Sequence, residues 1–421
     1  MVNWSTLARM NLYALAAGGA YVAFMFVLGI PEFQRHYLFL HKIAYPFWPR
    51  YAEPHHHGLE PAQARNLQIT TDDGVKLGVW HHLPDSVYHQ VAGQVDEENP
   101  ELPEEVYECA LRDYPTFVYL HGNALNRAAK FRVRTYQLLS KMQNANVIAI
   151  DYRGFGDSES FPTEEGVVND AYAAVQYVRE KSLDPKTGKR PALALMGQSL
   201  GTGVATQCAL RMYRDKVPLD ALVLLAAFKA IRPMVIEFRM GGLVPLLGWL
   251  EYFPFREQII EKLLHYSFET QEALSEIVDG HLQPDAMVPP TVVLMHAEND
   301  EVIPVRHGDE LYEGVEKQFK ALDRQSAYQV WSSNVPDIGY VQAVMHRGAP
   351  RPETKGLLPG ARAVLPRNTV MTYIRLEQGG HNHLFDRNAD LLPIMLPIGL
   401  TGLGHAPAVN GPPQSERASV A

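Results

Sequence analysis

The chain has 421 residues, 46% hydrophobic and 20% charged, so it can bury a large core, and disorder throughout is excluded. With 47 Asp and Glu against 38 Lys and Arg it carries a formal charge of −9 and no basic run, which removes the electrostatic drive for binding nucleic acid. Its two cysteines, Cys109 and Cys208, are too few for a disulfide framework or a zinc site by themselves.

Residues 11–30 contain no charge and are bounded by Arg9 on one side and Pro31-Glu32 on the other. At about 1.5 Å of rise per residue, a helix of this length crosses a bilayer core of roughly 30 Å. A signal peptide is the rival, but the apolar run continues past the small residues 14–20 through Val22, Phe24, Phe26 and Leu28. The expectation is an uncleaved single-pass anchor over residues 1–32 and a juxtamembrane linker over 33–65. Basic residues flank both sides of the run, so its orientation stays open. Tyr37, Phe39, Tyr45, Phe47 and Trp48 crowd the linker, as aromatic residues do at headgroup level or where a loop packs on a domain.

Past residue 60, short β-type runs alternate with helical ones. The runs at 67–70 and 75–80 flank Thr71-Asp72-Asp73-Gly74, a hairpin signal. Residues 85–115 interrupt the pattern with acidic residues among prolines and read as a solvated insertion. Strands follow at 116–120, 146–151, 192–196 and 221–225, separated by helical stretches near 127–143, near 164–182 and from Leu200. Such βαβ units imply a mostly parallel sheet with helices on both faces. Two long insertions come next, 229–290 before the strand at 291–295 and 324–367 before the strand at 369–376. The first holds a dense, proline-broken apolar stretch at 241–255, with Leu247, Trp249 and Phe253, that reads either as a lid over an apolar cleft or as an ordinary core element. The α/β domain is expected over 66–403, with a disordered tail over 404–421.

Gly197-Gln198-Ser199-Leu200-Gly201 lies between an apolar strand and a helix, the context in which G-x-S-x-G forms a nucleophile elbow. A serine hydroxyl is a poor nucleophile at neutral pH, so the reading requires a histidine base and a carboxylate, in the chain order serine, acid, histidine. The loop after 291–295 supplies Asp300, with Glu298 in reserve, and the loop after 369–376 supplies His381, with His383 in reserve. An oxyanion hole needs two backbone donors, assigned to Leu200 and to Asn123 in the Tyr119–Ala124 stretch. His121 reads as tying that loop down. His55-His56-His57 and His81-His82 lack a carboxylate or cysteine at metal spacing, and Tyr152–Ser158 lacks the third glycine of a dinucleotide fingerprint. The chemistry calls for neither metal nor cofactor.

YLHGNA (119–124), DYRGFGDSES (151–160), GQSLGTGVA (197–205) and HAENDEVIP (296–304) together resemble the membrane-anchored α/β-hydrolase-domain lipases that cleave monoacylglycerols and lysophosphatidylserine. The similarity runs over roughly residues 115–320. It implies an α/β-hydrolase fold with Ser199 as nucleophile, Asp300 as acid and Leu200 as an oxyanion donor. Relatives in this branch lie in the endoplasmic-reticulum membrane with the catalytic domain lumenal, and the resemblance implies the same here. The family's elbow usually has histidine where this chain has Gln198, a change that bears on substrate choice. The long separation between Asp300 and His381 rests the base assignment on its motif and chain order.

The expected function is therefore a membrane-bound serine hydrolase that cleaves long-chain lipid esters, monoacylglycerol or lysophospholipid, through an acyl-enzyme. A palmitoyl-protein thioesterase and a catalytically silent membrane scaffold are the alternatives. Oligomeric state is not readable from these residues.

Overall fold

The computed structural model describes residues 4–96, 100–232, 234, 239–240, 244–245, 255–280, 290–321, 328–335, 339–346 and 369–385. The lid candidates Leu247, Trp249 and Phe253, the apolar stretch at 391–403 and the tail lie outside them.

A ten-stranded sheet organises the chain. Its strands are β1 (Ala64–Thr70), β2 (Lys76–His82), β3 (Thr116–Leu120), β4 (Asn146–Ile150), β5 (Leu193–Gln198), β6 (Ala221–Leu225), β7 (Thr291–Ala297), β8 (Tyr328–Val335), β9 (Gly339–His346) and β10 (Thr369–Leu376). They lie in the order β1-β2-β4-β3-β5-β6-β7-β10-β9-β8. The pairs from β4 to β10 are parallel, while β1-β2, β2-β4, β10-β9 and β9-β8 are antiparallel. The inner strands TFVYL, NVIAI and ALVLL are buried along their whole length, because helices cover both faces. The 71–74 turn closes β1 on β2 with Gly74 at φ 82°, the left-handed conformation glycine adopts without steric penalty.

Helices α5 (Lys130–Gln143), α6 (Glu164–Lys181) and α7 (Leu200–Arg214) form the crossovers. Thr163 caps α6, its side chain accepting the Gly166 amide at 3.0 Å. One difference from expectation concerns residues 85–115. They hold α3 (Asp85–Val91) and α4 (Glu104–Asp113) around a small core of Leu83, Val87, Tyr88, Tyr107, Ala110 and Tyr114. On α4, Glu104 and Glu105 are exposed while Tyr107, Ala110 and Leu111 are buried, and these apolar residues at helical spacing were masked by the charges around them. The second insertion likewise builds structure, since β8 and β9 extend the sheet beyond β10 as a hairpin. Within the first insertion, α8 (Arg256–Leu263) precedes α9 (Thr270–Gly280), whose Ala273, Leu274, Ile277 and Val278 join the main core beside α7. After β7, α10 (Arg306–Ala321) returns along the sheet with Leu311, Tyr312 and Val315 buried.

The amino-terminal segment forms α1 (Trp4–Leu28) and α2 (Pro31–Phe39). No helix is long and apolar enough to cross a membrane among the described residues, which include only part of the α1 side chains. On α1 the side chains of Met10, Leu12, Tyr13, Leu15 and Phe26 are exposed, while Phe24 is half-buried against the main core. Helix α2 instead docks on the body. Phe39 is fully buried against Phe155, Tyr266 and Phe268, and the Gln34 side chain bridges the backbone of Leu263 and His265.

A buried ion cluster fastens β1, β4 and the loop before α5. Arg127 bonds Asp151 at 2.6 Å, Asp157 at 2.6 Å and Asn66 at 2.9 Å, under the Tyr51 ring. Burial would raise the Asp151 carboxyl, but the Arg127 charge and hydrogen bonds outweigh it and hold the group below the usual carboxylate range. Removing one member leaves the other charged and dry. Arg127→Leu is therefore expected to lower the unfolding free energy by about 3–5 kcal/mol, measured by urea denaturation; a change below about 1 kcal/mol would refute this account of the cluster.

Candidate active site

The parallel strands deliver four loops to one edge. Chain order reverses between β3 and β5, the crevice where open α/β sheets bind ligands. The 121–125 loop follows β3, Ser199 follows β5, Asp300 follows β7 and His381 follows β10.

Ser199 has φ 53° and ψ −123° and stands as the N-cap of α7, with its amide donating to the Leu225 carbonyl at 2.9 Å. The strained turn exists because the backbone crosses itself closely. A methyl group on Gly197 would lie 2.1 Å from the Gly201 oxygen, and one on Gly201 would lie 2.1 Å from the Leu120 oxygen. The first turn of α7 points its unpaired amides and positive dipole end at this position.

Asp300 is buried, and its Oδ2 accepts from His381 Nδ1 at 2.9 Å. Its Oδ1 accepts the amides of Val302 and Ile303 at 2.8 and 2.9 Å. His296 lies behind it, Nε2 donating to the Ile303 carbonyl at 2.9 Å and standing 3.4 Å from Oδ2. Burial alone would raise the Asp300 carboxyl, but hydrogen bonds from His296 and His381 hold it well below the usual range. Glu298 instead pairs with Arg375 at 2.9 Å on the surface, and His383 is exposed. The assigned acid and base, Asp300 and His381, are the two that meet, and the reserves Glu298 and His383 do not join them.

Among the described residues no hydrogen bond joins Ser199 Oγ to the His381 ring. The link between their loops is Gln198. This side chain accepts from the Tyr119 hydroxyl and donates from Nε2 to the His381 carbonyl at 3.0 Å, tying the end of β3 to the histidine loop across the base of the serine. Asn299 adds a second tie, accepting the Gly380 amide at 2.9 Å.

Gly122 packs on the serine, where an added Cβ would stand 3.0 Å from Ser199 Cβ. The next residues curl through left-handed Ala124 and Leu125. The Arg132 guanidinium, buried on α5, donates to the carbonyls of Gly122, Asn123, Ala124 and Asn126, turning those oxygens toward itself. The amides of Asn123 and Leu200 have no acceptor among the described residues. His121 is fully buried, with Nδ1 at 2.6 Å from the Gly122 oxygen and Nε2 at 3.4 Å from Asp151, and burial and Arg132 lower its basicity. The sequence assigns no role at the site to Arg132 or His296, and marks Gln198 only as a departure from the family's elbow that bears on substrate choice. His296 falls at the end of β7, one position past the predicted strand, and Arg132 on α5.

Two histidine groups read from the sequence lie elsewhere. His81 and His82 are buried in β2, where desolvation lowers their imidazoles to about 3 and about 4. His55 and His56 do have a carboxylate beside them, contrary to the spacing argument. The turn at 54–57 brings Glu53 back so that ligand atoms of Glu53, His55 and His56 lie within 4.8 Å of one another, with Arg50 3.1 Å from the His56 ring. A cation there would meet the guanidinium.

Fold and site together define a hydrolase built around a nucleophile elbow. The sequence model of the alpha/beta hydrolase family matches residues 117–394. Lysophosphatidylserine lipase ABHD12 from Danio rerio is 29% identical over 306 residues, 72% of this chain and 72% of that one. The same enzyme from Rattus norvegicus is 31% identical over 317 residues, covering 73% and 70%, and Protein ABHD12B from Homo sapiens is 31% identical over 261 residues, covering 62% and 64%. The chain belongs to the alpha/beta hydrolase family, on the lipase branch of these relatives.

The Gln198 tie makes a testable demand on ester hydrolysis. Gln198→Ala is expected to lower kcat about tenfold with KM changed less than about twofold. Gln198→Glu retains the acceptor for Tyr119 but loses the amide donor to His381, and should share the loss. Steady-state kinetics decide, and a KM effect alone would assign the residue to substrate binding instead.

Proposed function

We propose that the chain is a serine hydrolase of long-chain lipid esters, acting on lysophospholipid or monoacylglycerol. The observation that carries this reading is the hydrogen-bonded Asp300–His381 pair on the strand edge that also presents Ser199 on its elbow. Ser199 Oγ attacks the ester carbonyl carbon while His381 Nε2 takes the hydroxyl proton, and Asp300 holds Nδ1–H and stabilises the imidazolium. The oxygen that gains charge is received by the amides of Asn123 and Leu200. His381 then returns its proton to the departing alcohol. Water, deprotonated by the same imidazole, hydrolyses the acyl-serine.

The substrate class is supported by the lysophosphatidylserine lipases to which the chain is similar. It is supported too by α1, whose exposed apolar side chains on a 25-residue helix fit a bilayer better than water. In this reading residues 1–32 anchor the enzyme in a membrane, that of the endoplasmic reticulum by family resemblance.

A fluorophosphonate probe should label the wild-type chain and leave Ser199→Ala unlabelled; absence of wild-type labelling overturns the serine mechanism. Asp300→Asn is expected to reduce kcat by about 10³–10⁴-fold, since the imidazole loses the partner that sets its tautomer. Asp300 stays charged at all pH values above about 4, so it adds no limb to the pH–rate profile between there and neutrality. Its contribution to stability is correspondingly complete above that value and is lost only as the pH falls through the depressed native one. A panel of lysophospholipids, monoacylglycerols, S-acyl peptides and short water-soluble esters reads the substrate class. Preference for the short esters alone would overturn the lipid assignment, and preference for S-acyl peptides would replace it with thioesterase activity.

A further inference from the structure

The stretch after α2 presents its apolar side chains outward. Among the described residues beyond 31, six large apolar side chains are more than half exposed, and four of them, Ile43, Tyr45, Phe47 and Trp48, fall within six consecutive positions. Trp48 is 93% exposed and Phe47 69%. Tyr45 and Phe47 meet edge to face at 5.8 Å, and Phe47 and Trp48 lie 6.1 Å apart, so the rings form one cluster. A cluster of this kind on a water-facing surface is an interaction site.

This loop is fastened to the candidate active site. The Leu125 amide donates to the Ile43 carbonyl and the Ala124 amide to the Phe39 carbonyl, each at 2.8 Å. These are the residues that follow Asn123. Phe39, buried among three aromatic rings, pins the near end of the segment to the body. The exposed rings therefore ride on a firm support, and seating them would sacrifice little conformational freedom.

Three features select the occupant. The cluster is amphipathic, with a phenol and an indole N–H beside aliphatic and phenyl surface, the composition that settles at the boundary between headgroups and acyl chains. Lys42, exposed beside Ile43, adds positive charge suited to anionic headgroups, while Arg50 on the other flank pairs with Glu53 at 3.6 Å. Its approach is continuous with α1 and its exposed apolar side chains, through Ile30 and Phe33, which are also about half exposed. We propose that residues 43–48 seat in the interfacial layer of a lipid bilayer and thereby hold the 121–125 loop, and the mouth of the Ser199 site, at membrane level. The role in catalysis rests on the lipid-ester reading; the seating does not.

The test uses the full chain in phosphatidylcholine vesicles brominated on the upper acyl carbons, with Trp48→Phe to isolate the emission of Trp48. The Trp48 component should be quenched by the bromolipid and protected from aqueous iodide. A component quenched by iodide and untouched by bromine overturns the seating, and protection from iodide without bromine quenching, as a second copy or a protein partner would give, does so too. In the enzymatic arm, the double variant Phe47→Ser/Trp48→Ser should lower the ratio of vesicle-borne lysophospholipid turnover to short-ester turnover about tenfold. An equal fall in both activities would make the rings structural and overturn the proposal. A wild-type chain that shows the quenching but cleaves no lipid ester would refute the substrate reading alone.

Discussion

The close crossing of β5, the start of α7 and the end of β3 is the constraint on which the rest of the site depends. Three glycines leave no space for a side chain there, and the backbone can turn so sharply only by forcing Ser199 into a conformation that L-residues avoid. The strain is held by strand pairing on both sides of β5, where Leu120 registers with Gly197 and Gln198 with Leu225. A serine elsewhere on a strand end would have the same hydroxyl without the exposed apex or the helix dipole behind it.

Around that crossing, polar groups do the positioning from within the core. Arg132 collects the carbonyl oxygens of the loop after β3, which frees the opposite faces of the peptides to present amides. His296 and two backbone amides clamp Asp300, so the carboxylate that faces His381 cannot rotate away. Gln198 holds the histidine's main chain while Asp300 holds its side chain. Each is a buried group with its partners supplied, and such arrangements favour one geometry over its near neighbours.

Much of this was legible in the sequence, for definable reasons. Strands buried on both faces show as bare apolar runs, and β3, β6 and β10 fall on the runs that announce them. The G-x-S-x-G turn is a local steric solution, so its residues are contiguous. Asp300 and Glu298 were inseparable by position, because only burial and the approach of His381 or Arg375 distinguish them. The same holds for residues 85–115, whose apolar side chains matter only once Tyr107 meets Leu83 and Val87. Position 198 illustrates the limit best: its amide acts between Tyr119 and His381, 79 residues before it and 183 after it, and no local pattern encodes such a bridge.

The docking of α2 has a consequence for where this enzyme begins as a physical object. The family model's match begins at residue 117, yet the loop that faces Ser199 leans on carbonyls contributed by Phe39 and Ile43, and Arg127 on that loop's far side reaches back to Asn66. An excised fragment starting at the similarity boundary would discard the edge hairpin and these braces together. The stretch that the family model matches is thus smaller than the folding unit, and the segment from α2 to β2 is one of the hydrolase's walls.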